Sequence, residues 1–300
     1  MSRSATAASI SPCEQDREQS VGPFSGKKDV AIQTVAITGG KGGIGKSNIA
    51  VNLAAAMGSA TRNILLLDAD LQLGNIDRLL NLQPRYNLSH VVSGERRLSE
   101  VVIQGPTGVK VIPGASGVIE MARLSQIEHA NLIYQFSELH TDADTLIIDI
   151  ATGLSDSVLN FSRAAREVVV VVCDEPTAIQ DAFTTMRALH ENCQVRRFRI
   201  VANKTESSRH GLDLYAKLLR HTDRHLDVLL DFCGSIPFDP QVKLAVCQQR
   251  SVVEAYPRSP AALAFRKLAA RLDRWPKPTE PGGHIEFFVE RLIQTAGGTR

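Results

Sequence analysis

The stretch Gly40-Lys41-Gly42-Gly43-Ile44-Gly45-Lys46-Ser47 directly follows an apolar run that ends at Thr38. It matches the phosphate-loop pattern G-x-x-x-x-G-K-[ST] between a strand and a helix start. Glycines let backbone N–H groups converge on phosphate oxygens, and the helix N-terminus adds favourable charge. We therefore expect Lys46 to bridge the β- and γ-phosphates and the Ser47 hydroxyl to ligate Mg²⁺. The alternative, a glycine turn that only joins strand to helix, is disfavoured because two lysines lie among four glycines.

Buried-strand patterns alternate with helical patterns from Val30 onward, which predicts an α/β fold with a doubly wound, mostly parallel sheet. Short apolar runs indicate strands buried on both faces, and longer segments with 3.6-residue spacing indicate helices. The predicted strands are 35–38, 64–67, 109–112, 145–148, 168–172, 198–202 and 228–236, and the predicted helices are 47–57, 126–139, 177–190, 212–221 and 259–272.

Composition excludes several classes of protein. The 300 residues are 43% apolar with a net charge of +2, so we expect a globular chain with no global attraction to nucleic acid or lipid. The five cysteines are odd in number and never spaced as C-x-x-C, which argues against a disulfide framework or a zinc site. No apolar run is long enough to span a membrane and no secretory signal is evident. These features predict a cytoplasmic protein.

Residues 1–29 are predicted to be a disordered tail, and 30–274 a single nucleotide-binding domain. A Pro/Gly-rich hinge, 275–283, leads to a predicted amphipathic helix, 284–300. The helix could lie on a membrane surface or pack on the protein itself, and both alternatives stay open. Its apolar stripe consists of Ile285, Phe288, Val289, Leu292 and Ala296.

Carboxylates follow two of the predicted strands. Asp68 and Asp70 come after the second strand, and Asp149 ends a later one. In a parallel sheet these strand ends share one edge with the phosphate loop, where α/β proteins bind ligands. We therefore expect acidic side chains beside the phosphates, although D-x-D after a strand is also typical of turns.

Lys41 is a second cation inside the phosphate loop. K-G-G-x-G-K-[ST] is the deviant Walker motif of the MinD/ParA family of ATPases, and the stretch Val35–Asp77 resembles that family. In the family the equivalent lysine reaches across a two-fold homodimer to the partner's phosphates. A cation supplied in trans stabilises charge that develops during phosphoryl transfer. The resemblance thus implies a catalytic Lys41, whereas the alternative is a solvated surface lysine.

The same resemblance assigns roles to the acids. It implies that Asp70 orients or deprotonates the attacking water and contributes to the metal site, and that Asp68 supports Lys46 or the water shell of Mg²⁺. Asp149 would hold Mg²⁺ as the Walker B acid, with Gly153 close to the γ-phosphate. The family usually has Thr directly after this acid and Ala or Pro before the glycine. Here Ile150 and Thr152 stand at those positions.

The resemblance also implies contacts to ATP beyond the triphosphate. Asn48 follows Ser47 in the loop-helix junction, and Asn203 would read the adenine edge. The segment Pro237, Phe238 and Asp239 would pack on the base. Asn203 could instead cap the following helix. Together these residues favour ATP over GTP.

Resemblance beyond the motifs runs from Thr34 to about Gln294 and is closest to the flagellar-number regulators of the FleN/FlhG group. It implies two protein partners: the flagellar master transcription activator, an enhancer-binding protein, and the flagellar GTPase of the signal-recognition type. The tail carries Glu14-Gln-Asp-Arg-Glu18 in place of the Asp-Gln-Ala motif with which some members stimulate that GTPase. The stretches that carry this resemblance are 75–77, 174–177, 256–259 and 283–292.

Two other functions are kept as alternatives. A MinD-like division-site ATPase would share the same nucleotide chemistry. A ParA-like DNA-partitioning ATPase would use a basic cluster near one helix, but almost half of that cluster is histidine, largely neutral at pH 7, so direct DNA binding is not expected. The cluster is Arg209, His210, Lys217, Arg220, His221, Arg224 and His225.

Overall fold

The computed structural model describes residues 32–58, 62–70, 73–115, 126–137, 139 and 143–276. Every predicted nucleotide, metal and catalytic residue lies among them. The predicted tail 1–29 and the predicted helix 284–300 lie outside the described residues, as does most of the predicted hinge.

An eight-stranded sheet organises the described chain. Its strands are β1 (Gln33–Thr38), β2 (Ile64–Ala69), β3 (Ile103–Gln104), β4 (Val109–Ile112), β5 (Thr145–Ile150), β6 (Glu167–Val172), β7 (Arg197–Thr205) and β8 (Leu229–Pro237). Their spatial order is β3-β4-β2-β5-β1-β6-β7-β8, and β3 with β4 is the antiparallel pair. The predicted doubly wound, mostly parallel sheet is confirmed.

Helices connect the strands and cover both faces of the sheet. The short helices α2, α3, α4, α6, α9 and α10, like strand β3, were not predicted, because segments this short carry too little periodicity. Among the described residues no helix is long and apolar enough to cross a membrane. The helices are α1 (Lys46–Met57), α2 (Ile76–Leu79), α3 (Leu88–Val92), α4 (Leu98–Val101), α5 (Gln126–Ser137), α6 (Asp156–Ala164), α7 (Ala178–Cys193), α8 (Ser208–Thr222), α9 (Pro240–Cys247), α10 (Val252–Ala255) and α11 (Pro260–Leu272).

The sheet is buried on both faces, which explains why its strands are continuous apolar runs. Val35 and Ile37 of β1 enter one apolar cluster with α1 and α11, whereas Ala36 between them enters the other, with α6, α7 and α8. Alternate side chains of a strand point to opposite faces, so a strand covered on both sides must be apolar at every position.

Strand register brings the predicted site residues together. Ile37 of β1 is the ladder partner of Asp149 on β5, and Asp149 is in turn the partner of Asp68 on β2. β1 pairs with β6 on its other side. Because these strands are parallel, the loops that follow them meet at one edge, the carboxyl edge of the sheet.

Buried Asn52 ties α1 to the C-terminal helices. Its side-chain oxygen accepts hydrogen bonds from the backbone N–H groups of Val252 at 2.7 Å and Val253 at 3.3 Å, at the start of α10. Its amide nitrogen donates to the backbone oxygen of Asn48 at 2.8 Å. A buried polar side chain is tolerated in this core because its hydrogen-bonding groups find partners.

A buried ion pair lies towards the opposite, amino edge of the sheet. The Arg199 guanidinium on β7 donates to Glu167 at 2.8 Å and to Asp231 at 2.6 Å, which links three neighbouring strands. The ring of Trp275 lies 4.5 Å from the guanidinium carbon and is itself buried. The predicted domain boundary at residue 274 thus falls one residue before a side chain of the core.

Candidate nucleotide-binding site

The phosphate loop follows β1 and ends where α1 begins at Lys46. Gly45 has a left-handed φ of 96°, and a Cβ there would lie 2.5 Å from the amide nitrogen of Asn203. A Cβ at Gly40 would lie 2.1 Å from the carbonyl carbon of Asp181 on α7. Both positions therefore require glycine, one for conformation as well as space and the other for space alone. The loop and helix N-terminus together form a cradle suited to phosphate.

Lys46 interacts electrostatically with two acids of the site. Its side chain is half-buried, and this burial lowers the pKa of Lys46, while the charges of Asp149 and Asp70 oppose the shift. The three side chains thus share one small region at the carboxyl edge. A triphosphate placed there would add negative charge beside the half-buried ammonium.

Asp149 is the strongest indication of a metal site. Its carboxylate is buried, and within the described structure neither oxygen has a hydrogen-bond partner. Burial raises the pKa of Asp149 to about 7, although the nearby Ser47 hydroxyl and Lys46 ammonium oppose this. An unpaired buried carboxylate is costly unless a cation completes it. Carboxylate and hydroxyl oxygens are ligands that Mg²⁺ prefers, so Asp149 and Ser47 fit the predicted ion.

Asp68 acts on the loop that follows it. Its two oxygens accept hydrogen bonds from the backbone N–H groups of Asp70 at 3.2 Å and Ile76 at 3.1 Å. Burial, and next the charge of Asp149, raise the pKa of Asp68 to about 8. These two hydrogen bonds hold the backbone at Asp70 and Ile76 close to the Asp68 carboxylate. The support of Lys46 or of the metal's water shell by Asp68 stays a prediction.

Asp70 lies at the surface of that loop. Its carboxylate accepts a hydrogen bond from the backbone N–H of Leu73 at 3.0 Å and is half-buried. Asp70 therefore stands at the entrance of the site, where water has access, whereas Asp68 and Asp149 lie beneath it. This position suits the predicted contact with an attacking water.

Asn203 and Lys204 at the end of β7 both hold the phosphate loop. The Asn203 amide donates to the carbonyl oxygen of Ile44 at 2.7 Å, and the Lys204 ammonium donates to that of Gly43 at 3.0 Å. Consecutive residues of a strand normally point to opposite faces. Here Lys204 adopts a left-handed φ of 56° at an irregularity in the β7–β8 register, and this allows both side chains to reach the same loop.

These contacts bear on the two roles predicted for Asn203. The alternative of a helix cap is wrong, because α8 is capped by Ser207, whose hydroxyl accepts from the N–H of His210 at 3.1 Å. For adenine recognition, the Asn203 amide nitrogen is already engaged by the loop. In this structure the Asn203 side chain therefore stabilises the conformation of the phosphate loop.

The predicted base-side segment ends β8. Phe238 is 69% exposed and offers a free aromatic face at this edge of the sheet. Asp239 is buried, and its carboxylate accepts from the backbone N–H groups of Gln241 at 2.9 Å and Ala261 at 3.0 Å. Because it caps two helices at once, Asp239 serves to hold Pro237 and Phe238 in place.

Lys41 forms an ion pair within its own subunit. Its ammonium lies 2.5 Å from a carboxylate oxygen of Glu175, in the loop between β6 and α7. The hydrogen bond and charge of Glu175 raise the pKa of Lys41, and the same contact lowers the pKa of Glu175. The sequence had drawn attention to Glu175 only as part of a family stretch, since nothing local predicts a partner 134 residues away.

The loop after Asp149 contains both departures from the family pattern. Ile150 is buried in the core below the site, whereas Thr152 is exposed. Gly153 adopts a left-handed φ of 102°. Where the family usually has a threonine hydroxyl, Ile150 therefore contributes an apolar side chain to the core. The Thr152 side chain is accessible to solvent.

A glycine cradle, two lysines and a buried unpaired carboxylate at the edge of a parallel sheet define a P-loop nucleotide-binding protein. The model of the ParA family, described as NUBPL iron-transfer P-loop NTPase, matches residues 31–273. The chain therefore belongs to the ParA family. As predicted for this class, it is an ATPase that uses ATP and Mg²⁺.

Comparison with individual proteins shows which members of the ParA family this chain resembles in sequence and in fold. The chain is 49% identical over 263 residues to "Antiactivator FleN" of Pseudomonas aeruginosa, covering 88% of this chain and 94% of that protein. It is 26% identical to "Flagellum site-determining protein YlxH" of Helicobacter pylori, covering 88% and 90%. The solved structure of MinD complexed with Mg-ADP from Pyrococcus horikoshii has the same fold, with a TM-score of 0.68, 22% identity and coverage of 81% and 96%.

Proposed function

We propose that this chain is an ATP-switched regulator of flagellar number. The observation that carries the proposal is the 49% identity to a protein named antiactivator FleN, over nearly the full length of both chains. The phosphate loop and the acids described above support a nucleotide-dependent switch, whose partners would distinguish its ATP-bound from its ADP-bound form. A MinD-like division-site role is less well supported, since the solved MinD is less than half as similar in sequence.

In the proposed cycle, two ATP-loaded chains pair through their nucleotide edges. Lys46 and the phosphate-loop N–H groups bind the triphosphate, and Ser47 and Asp149 hold Mg²⁺, which neutralises phosphate charge. Asp70 orients the attacking water, and Lys41 of one subunit reaches the phosphates of the other. Hydrolysis then separates the pair and resets the switch.

Exposed apolar side chains beside the site support a pairing surface at this edge. Leu73, whose backbone N–H donates to Asp70, is 76% exposed, and Leu154, next to Gly153, is 45% exposed. Large apolar side chains grouped around one site are typical of surfaces that a partner covers. In the proposed cycle, the γ-phosphate would influence how these two side chains are presented.

The proposed partners are the flagellar master transcription activator and the flagellar GTPase of the signal-recognition type. The name antiactivator supports the first, because it states that FleN opposes an activator. In this proposal the ATP-bound dimer restrains the activator and so limits the number of flagella.

Direct DNA binding receives little support from the predicted basic cluster. Arg209 pairs with Asp213 at 3.4 Å, and His210 contacts Asp174 at 3.1 Å. His221 packs edge-on against the ring of Phe183. Several members of the cluster are therefore engaged within the protein, which leaves a weak patch for the phosphate contacts that dominate DNA affinity.

The function is tested by counting flagella per cell in the native host. Deletion of the gene should raise the number, and the wild-type gene should restore it. Asp70→Ala, which binds ATP but hydrolyses it slowly, should keep the number low, whereas Lys41→Ala should leave it high. Unchanged flagellation in the deletion strain would rule out this function.

We further propose a cytoplasmic protein that associates peripherally with the inner membrane when ATP-bound. The amphipathic stripe of 284–300 supports this, and two copies on one dimer would bind together through their effective concentration. Sedimentation with liposomes should therefore require both ATP and residues 284–300. Equal pelleting of the full chain and a chain lacking these residues would end the membrane proposal.

A further inference from the structure

A small network of charges connects three loops beside the nucleotide site. Glu175 receives the Lys41 ammonium on one carboxylate oxygen at 2.5 Å, and the Lys204 ammonium lies 4.0 Å from its other oxygen. Lys204 in turn donates to the Gly43 carbonyl of the phosphate loop. One carboxylate therefore stands between a cation of the phosphate loop and a cation of β7.

The position of Glu175 is set by the chain around it. β6 ends at Val172 and α7 begins at Ala178, so Glu175 lies in a short connection, before Pro176. The neighbouring acid Asp174 is directed elsewhere, to His210 on α8. The two adjacent acids thus hold different elements, and Glu175 is the one that contacts the phosphate loop.

The contact with Glu175 occupies one donor of the Lys41 ammonium, offsets its charge and directs it to its own subunit. It therefore competes with a phosphate of another subunit for Lys41. The exchange is easy because both side chains are more than one-third exposed, and ion pairs at such positions are weak. Lys204 is close enough to take over the carboxylate once Lys41 has left.

We propose that Glu175 is a positioning residue that retains Lys41 on its own subunit until a triphosphate on a second copy displaces it. This inference rests on the proposed ATP-dependent dimer. The retention opposes pairing, so it sets the ATP and protein concentrations at which dimers form. Each dimer breaks two such ion pairs, one in each subunit.

Removing the charge of Glu175 should therefore strengthen the dimer. Exposed ion pairs each change an equilibrium by about 1.4- to 5-fold, so two of them predict a dimer dissociation constant about 2- to 25-fold lower in Glu175→Gln. Glu175→Asp keeps the charge on a shorter side chain and should fall between the two. The difference between wild type and Glu175→Gln should shrink with added salt, because the pair is exposed.

The experiment is sedimentation equilibrium of the full chain with a nonhydrolysable ATP analogue and Mg²⁺, repeated with ADP. The matched control is Asp174→Asn, which removes the same charge from the same loop without touching Lys41. It should leave the dissociation constant near the wild-type value. Thermal denaturation should show that each variant is folded.

The possible outcomes distinguish the retention of Lys41 by Glu175 from the proposed ATP-dependent dimer. If wild type pairs with the analogue but Glu175→Gln pairs no more tightly, the retention is wrong. If Glu175→Gln pairs less tightly, Glu175 contacts the partner and the retention is likewise wrong. If wild type stays monomeric with the analogue, the proposed dimer itself fails, and the retention fails with it.

Discussion

Asp149→Asn is expected to reduce Mg²⁺-dependent ATP hydrolysis by at least about 100-fold, because a metal that polarises phosphate is worth several kcal/mol of barrier. The substitution keeps the shape of the side chain and removes the charge that would hold the ion. In the same variant, the protein without Mg²⁺ should be as stable as wild type or more so. The buried carboxylate has no hydrogen-bond partner among the described residues, so the metal-free fold loses little without it.

Both halves of this prediction are measured on purified protein. Phosphate release reports hydrolysis, and thermal denaturation in EDTA reports stability without the metal. Removing Mg²⁺ from wild type should mimic the loss of hydrolysis. A matched control is Asp174→Asn, an exposed acid outside the site, which should leave turnover unchanged. Hydrolysis within tenfold of wild type in Asp149→Asn would show that this carboxylate does not hold the ion.

Lys41→Ala is expected to keep ATP binding while dimer-dependent hydrolysis falls by about 10³ or more. A cation supplied in trans accounts for about 10³ to 10⁵ in rate in other nucleotide hydrolases. ATP binding survives because Lys46 and the loop N–H groups remain. Lys217→Ala, which removes an exposed lysine on α8, is the matched control and should hydrolyse ATP normally.

A mixing experiment distinguishes action across subunits from action within one. An Asp149→Asn chain retains Lys41, and a Lys41→Ala chain retains an intact metal site. If Lys41 works in trans, mixing the two inactive chains should restore hydrolysis at the sites of the Lys41→Ala subunits. Activity that stays absent while mixed dimers form would show that each site uses its own lysine.

The sequence predicted the sheet well because its strands are buried on both faces. A continuous apolar run such as Val168–Val172 is stable only when both of its faces are buried, as they are here. The strand ends were less accurate, since β7 continues to Thr205 through the irregularity at Lys204, well past the predicted end. A left-handed lysine gives no signal in the sequence, because only the surrounding structure holds it there.

The phosphate loop and the acids could be found from motif and topology alone. The hydrogen bonds of these acids could not be predicted, because they depend on backbone groups that only folding brings close. Asp68 and Asp149 look alike as strand-ending acids, yet Asp68 accepts hydrogen bonds from backbone N–H groups, whereas Asp149 accepts none from the described backbone and lies near the Ser47 hydroxyl and the Lys46 ammonium. Asp239 likewise caps two helices, a role that its predicted place beside the base did not reveal.

The ring of Trp275 over Arg199 decides where the chain can safely be shortened. Composition suggests ending a minimal domain at residue 274, but that cut removes the indole that shields the Arg199 ion pair from water. Such a fragment would expose the Arg199 ion pair and lose stability, whether or not the deleted segment binds lipid. Shortened versions that report on the C-terminal segment should therefore retain Pro276, so that a lost phenotype reflects the deleted residues and not a damaged core.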